Sequence, residues 1–173
     1  MKLTWFGGTT LRVYVGGEIV VIDAGGAADG IDHGELVAGA NHLVALGKVP
    51  QINPAFWRNR PAARATEEAP PLEIHGIGPA ALLIAAGGEP PLVVLGPGEP
   101  PRFGRWADGA VVVLCSAKES LVADATVILD VARPKLVALA VDEQTLDQVI
   151  EELSEHLDGA GLVSLEPGLA LEV

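Results

Sequence analysis

The residues able to do chemistry in this sequence are few and widely spaced. Its four histidines are His33, His42, His75 and His156. Imidazole is the usual ligand for zinc-like ions and the usual acid–base group near neutral pH. None of the four has ligand spacing to another. His42 opens a strand and reads as structural, and His156 lies on the polar side of the last helix and reads as solvated. That leaves His33, in a loop after Asp23, and His75, at the end of a strand, as the pair whose meeting would make a site. The single cysteine, Cys115, sits in an apolar strand. It rules out a disulfide within the chain and argues against a cysteine zinc site. Cys115, Ser116, Lys118 and Ser120 are close together, but a Ser–Lys pair needs Ser-x-x-Lys on a helix, and here Cys115 takes the serine position. The glycines match neither GxGxxG before a helix nor GxxxxGK[ST], so no phosphate loop is expected.

Composition narrows the partners. The chain has 173 residues, 49% hydrophobic, with a formal net charge of −12. That length suits one domain, here taken as 1–173, with a sizeable core. Such acidity argues against nucleic acid or an anionic membrane as partner, and helps keep an apolar chain dispersed. No apolar run is long enough to span a bilayer. The first residues read as a strand, not a signal peptide, and the cytoplasm is the expected compartment. The high apolar content points to a homo-oligomer. Arg58, Arg60 and Arg64, beside Phe56 and Trp57, form the one local basic cluster, readable as a solvated loop or as a contact for an anion or partner protein.

The elements that must position these residues are β-rich at first. Strands are expected over 2–6, 10–15 and 18–23, with Gly7-Gly8 a break and Gly16-Gly17 a hairpin turn. Residues 24–34 read as a loop and 42–46 as a short strand. A proline-rich irregular stretch runs from 47 to 71, with a turn of helix over 62–68. Strands follow over 72–75, 80–86 and 92–95, with Gly87-Gly88 as a second hairpin signal. The two Gly-Gly hairpins share a layout that hints at an internal β duplication. The last third alternates: strand 110–115, helix 121–132, strand 136–141, helix 143–157, then strands 162–165 and 169–173. Asp142 is the expected N-cap of the last helix and Gly159 its stop. This order implies an α+β chain of packed sheets with helices outside.

Particular segments resemble a known family. "MKLTWFGGTTLRVYVGGEIVVIDAG" is similar to the opening "MKxTWxGHxxxxxxxGGxxxxIDP" of compact metal-dependent hydrolases of the metallo-β-lactamase superfamily. "ALLIAAGGEPPLVVLGPGE" resembles the later hairpin that ends there in "AGDTG", and "ADGAVVVLCSA" resembles its "xDxALLPIG" strand. "VARPKLVALAVDEQ" resembles "LKPKVVIPMHY", and "GLVSLEPGLALEV" the closing "xxVLEPGExxxL". The resemblance implies a four-layer αββα sandwich, somewhat truncated because the segment before the second hairpin is short.

The same resemblance implies that the family's metal ligands are gone. The four ligands of its HxHxDH loop fall on Gly47, Val49, Gln51 and Ile52. The aspartate of its "GDT" turn falls on Pro97, its last histidine on Val141 and the histidine of its opening "GH" on Gly8. A register slip could bring Asp142 into the last slot, but none restores a histidine cluster. Asp23 matches the aspartate of "IDP" and reads as a loop-shaping acceptor. The remnant of the family's cleft would then comprise Gly8, Asp23, His33, Gly47, His75, Pro97, Val141 and Asp142. No catalytic residue, metal or other cofactor is expected. The reading that follows is a non-catalytic binding or assembly module. The alternatives are a hydrolase of an ester or phosphoester working through His33, Asp23, His75 or Asp142, and a small-molecule binder that kept the cleft.

Overall fold

The computed structural model describes residues 1–62, 70–115 and 118–173, with the side chains of 118 and 119 outside the description. Two sheets lie face to face. The first has five strands in the order β11-β1-β2-β3-β4, formed by Lys2–Trp5 (β1), Leu11–Val15 (β2), Glu18–Ile22 (β3), His42–Val44 (β4) and Ala170–Glu172 (β11). The second has six, in the order β10-β9-β8-β7-β6-β5. They are Glu73–Gly78 (β5), Ala81–Ala85 (β6), Leu92–Leu95 (β7), Val111–Leu114 (β8), Leu136–Leu139 (β9) and Gly161–Ser164 (β10). Among the described residues, three α-helices accompany them: α1 (His33–Val37), α2 (Lys118–Val131) and α3 (Glu143–Ser154).

The hydrophobic pattern explains the layering. In β2, Leu11, Val13 and Val15 point inward while Arg12 and Tyr14 point out, the alternation of a sheet with one buried face. Strands β6 to β8 are buried at every position, and β9 at nearly every one. Leu82, Ile84, Leu92, Val94, Val111, Val113 and Ala138 meet the first sheet, packing with Leu3, Trp5, Val13 and Ile22. The alternate residues Leu83, Val93, Leu95, Val112, Leu114, Val137 and Leu139 meet the helices. Helix α2 supplies Leu121, Ala125 and Ile128 to that second core at helical spacing, and α3 supplies Val149 and Leu153. Asp142 caps α3 as expected, accepting from Thr145 N at 2.9 Å. The Thr145 N–H and hydroxyl hold its carboxyl below the ordinary value. Chain order explains the strand directions: β8, β9 and β10 run parallel because α2 and α3 carry the chain back between them, whereas the turn-linked β5, β6 and β7 are antiparallel.

The outer face of the first sheet is covered differently. Helix α1 has five residues, and Arg12 reaches from β2 to donate to its Leu36 and Ala38 carbonyls. Tyr14 and Leu43 remain exposed nearby, at 52% and 63%.

Three expectations need correction. Residues 24–34 are not all loop: a 3₁₀ turn spans Ala24–Gly26 and α1 begins at His33. Asp32 caps α1 through Glu35 N at 2.8 Å, the Asp-x-x-Glu spacing of a capping box. His75 does not end its strand; β5 continues to Gly78 through a bulge between Gly76 and Gly78. Its outer edge is paired to residues 50–52, with Gly76 N donating to Pro50 O and Ile52 N to Gly76 O, both at 2.9 Å. Helix α2 starts at Lys118, three residues before the expected start at 121. The turn of helix expected over 62–68 lies, apart from Ala62, outside the described residues, as does Ser116. The two Gly-Gly hairpins fall on different sheets, and their turns touch where Gly16 N donates to Glu89 at 2.8 Å.

Candidate functional site

The loops that follow β1, β3, β4 and β7 converge at one end of the sheet pair. Asp23 organises them. It follows β3 directly and takes a left-handed conformation with φ 46°, which a non-glycine residue holds only when its surroundings impose it. Its N–H donates to Val44 O at 2.9 Å and its carbonyl accepts from the Thr10 hydroxyl at 2.7 Å. One carboxylate oxygen accepts from the Thr9 hydroxyl at 2.7 Å, the other from Leu46 N at 3.0 Å. One side chain therefore ties the loops after β1 and β4 to the end of β3. Acceptors engaged in this way shape loops rather than abstract protons.

Close packing fills part of the space around this clamp. A Cβ on Gly96 would fall 2.7 Å from Leu46 Cδ1 and 3.2 Å from Thr9 Cγ2, so these side chains already occupy the volume above the end of β7. Gly47 has φ 72°, and a Cβ there would meet the Pro79 carbonyl oxygen at 2.3 Å. Only glycine fits both the conformation and the contact. An open depression of about 630 Å³ borders the clamp itself, lined by Thr9, Asp23, Gly26, Ala45, Lys48 and Val49 among others.

Cys115 lies at the buried side of the same end. Its N–H donates to Leu95 O at 2.8 Å. Burial, with the Asp23 charge adding to it, pushes its thiol up to about 12. A thiol so held is neutral at physiological pH and is no nucleophile. The sequence signal for a Ser–Lys arrangement beside it falls partly on Ser116 and Lys118, whose side chains are outside the description.

Of the remaining residues of the expected cleft, Gly8 and Pro97 lie on these same converging loops and Val141 and Asp142 follow β9, parallel to β7 and β8, toward the same end, whereas His33 and His75 lie on separate elements. Gly8 lies in the turn after β1, its carbonyl accepting from Trp5 Nε1 at 2.9 Å. His33 is exposed in the first turn of α1, beside the first sheet. His75 is on β5 of the second sheet, its Nε2 3.5 Å from Glu73. Pro97 is exposed beyond Gly96. Val141 packs against the helix-side core, and Asp142 is engaged as the cap of α3. His42 holds Glu18 at 2.6 Å across the edge of the first sheet, and His156 is exposed. Thr9, Leu46 and Gly96, which fill the junction, carry no chemical signature that a sequence reading could have singled out.

The zinc-like ion expected of the resembling family takes imidazole and carboxylate at about 2 Å. The residues at the matching positions offer neither. Ile52 packs on the helix-side core, Gln51 lies over Gly76, and Gly47 abuts Pro79. Among the described residues, no group of three or more His, Cys, Asp and Glu side chains could hold a metal ion.

No protein-family model matches the sequence, and no curated protein matches it. The structure is similar to the crystal structure of a Thermotoga maritima protein assigned to the Zn-dependent hydrolases of the metallo-β-lactamase superfamily. The TM-score is 0.52 at 12% identity, over 96% of this chain and 98% of that one. The chain has a metallo-β-lactamase-like fold. At that identity the likeness is one of architecture, and activity does not follow from it.

Two outcomes test the packed junction. Gly47→Ala should lower folding stability by about 1–3 kcal/mol in a urea titration, because it adds both a contact with Pro79 and backbone strain. An unchanged midpoint would show that the junction is loose. Cys115 should resist iodoacetamide at pH 8 until the chain is unfolded by denaturant. Its raised value also carries a pH dependence. The stabilisation is complete below the ordinary thiol value of 9.0 and is lost as pH rises toward about 12. Rapid labelling of the native chain at pH 8 would contradict that burial.

Proposed function

We propose that this chain is a metal-free, non-catalytic protein of the metallo-β-lactamase fold, serving as a binding or assembly module in the cytoplasm. The observation that carries the reading is the filled junction. Leu46 and Thr9 occupy the volume beside Gly96, Gly47 abuts Pro79, and Asp23 already binds Thr9 and Leu46. A hydrolase of this fold needs several ligands aimed into an open pocket, and the depression beside this clamp has Asp23 as the one carboxylate, imidazole or thiol among its described lining residues. In this reading the carboxylate clamp of Asp23 takes over the loop-tying that a metal would otherwise supply. The architecture is a truncated αββα sandwich whose fourth layer is reduced to α1. The thinned layer leaves Tyr14 and Leu43 exposed on one sheet face, which supports a second copy of the chain as the partner.

Two measurements on the purified full chain test this. After equilibration with zinc, manganese or iron and removal of excess, elemental analysis should find less than about 0.1 metal per chain, with no rise in melting temperature. Tightly bound stoichiometric metal would overturn the metal-free reading. Light scattering should give a mass above that of the 17.8 kDa monomer. A monomer at all concentrations would remove self-assembly while leaving the first result intact.

A further inference from the structure

The sequence groups Arg58 with Arg60 and Arg64, but the structure sorts the described pair differently. Arg60 is neutralised by Glu73 at 2.7 Å, and the same carboxylate accepts from Trp57 Nε1 at 2.9 Å. Arg58 instead faces two arginines remote in sequence, Arg102 and Arg105. The three line one pocket of about 520 Å³ with Asn53, Phe103 and Trp106. Two 3₁₀ turns build it: Pro54–Phe56, capped by the Asn53 side chain on Ala55 N, and Arg105–Ala107. Its floor is rigid, because the rings of Phe103 and Trp106 stack at 5.6 Å with 16° between their planes and pack on the helix-side core.

Charge makes this pocket unusual. The chain has 11 basic residues against 23 acidic ones, yet three of the 11 line this pocket. Arg58 spends one nitrogen, Nη1, on the Ala55 and Trp57 carbonyls, which fixes its fork without cancelling its charge. Arg105 is 97% exposed, with Asp108 at 3.9 Å. Arg102 forms no ion pair among the described residues. Water screens these exposed arginines from one another, and together their guanidinium forks match the oxygens of phosphate and carboxylate. An aromatic wall adds a flat surface for an apolar portion of a ligand.

We propose that the Arg58–Arg102–Arg105 pocket binds a small organic polyanion, phosphate- or polycarboxylate-bearing, whose flat apolar part lies along the Phe103–Trp106 wall. Nothing in this depends on whether the loop junction holds a metal.

The test is a thermal-shift and calorimetric titration of the full chain at low salt with pyrophosphate, citrate and adenosine 5′-monophosphate. Saturable stabilisation is expected below about 5 mM, weakening as salt is raised from about 0.02 to 0.2 M. Preference for pyrophosphate over citrate would assign a phosphate ligand, and the reverse a polycarboxylate. The R102Q/R105Q double variant should bind about tenfold more weakly or worse, while R133Q, which alters another exposed arginine, should bind as the parent does. Both arginines in the double variant are exposed, so the fold should survive. Charge-retaining R102K/R105K, if R102Q/R105Q fails to fold, should recover part of the affinity. No saturable shift with any of the three probes, or equal shifts in parent and R102Q/R105Q, would overturn the proposal.

Discussion

The constraint on which this molecule depends is burial of the second sheet on both faces. Strands β6 to β9 carry one set of side chains into the contact with the first sheet and the alternate set into the contact with α2 and α3. A strand in that position tolerates no polar residue without a partner, so its sequence is an unbroken apolar run. Everything outside is hung on this layer. The hairpins of the first sheet close over one side, the helices over the other, and the loops at one end meet because β1, β3, β4 and β7 all finish there.

That constraint explains what the sequence disclosed. The runs Leu92–Leu95 and Leu136–Leu139 are legible as buried strands because the two-sided burial is written into every residue. The apolar stripe of α3 and its cap at Asp142 are legible for the same reason at helical spacing, although Ile150 on the same helix is 41% exposed. The α+β class and the family resemblance both followed from these elements in order. Less legible were features made by tertiary contact. Strand β5 runs past His75 because residues 50–52 pair with its edge, and glycines read as breakers in isolation gave no hint of that. Helix α1 is too short for periodicity to reveal, although Asp32 and Glu35 stood at capping distance.

The junction of loops was half legible. The expectation that Gly47, Pro97 and Val141 stand where the family carries metal ligands came from likeness to its motifs, because it concerns residue chemistry. That Thr9 and Leu46 pack at Gly96 and Pro79 at Gly47 could not be read so, because it depends on separate loops meeting. Asp23 was correctly read as a loop-shaping acceptor, yet its partners Thr9 and Leu46 are separated from it by an entire hairpin or strand. The same limit applied to the arginines. A run of three was conspicuous in sequence, whereas the group that shares a pocket draws Arg102 and Arg105 from a distant loop.

The sheet margins carry a consequence of their own. A chain that is 49% hydrophobic and has eleven strands among its described residues would be hazardous in concentrated solution if a long strand presented bare amides to its neighbours. Both margins of the first sheet, β4 and β11, are three residues long. The six-residue margin of the second sheet, β5, is engaged at Gly76 by residues 50–52 of the same chain, and the other, β10, is four residues long. Strand-by-strand templating between molecules, the route into fibrils, is thereby starved of a starting ladder, and contacts between molecules are directed to side-chain surfaces instead of to backbone.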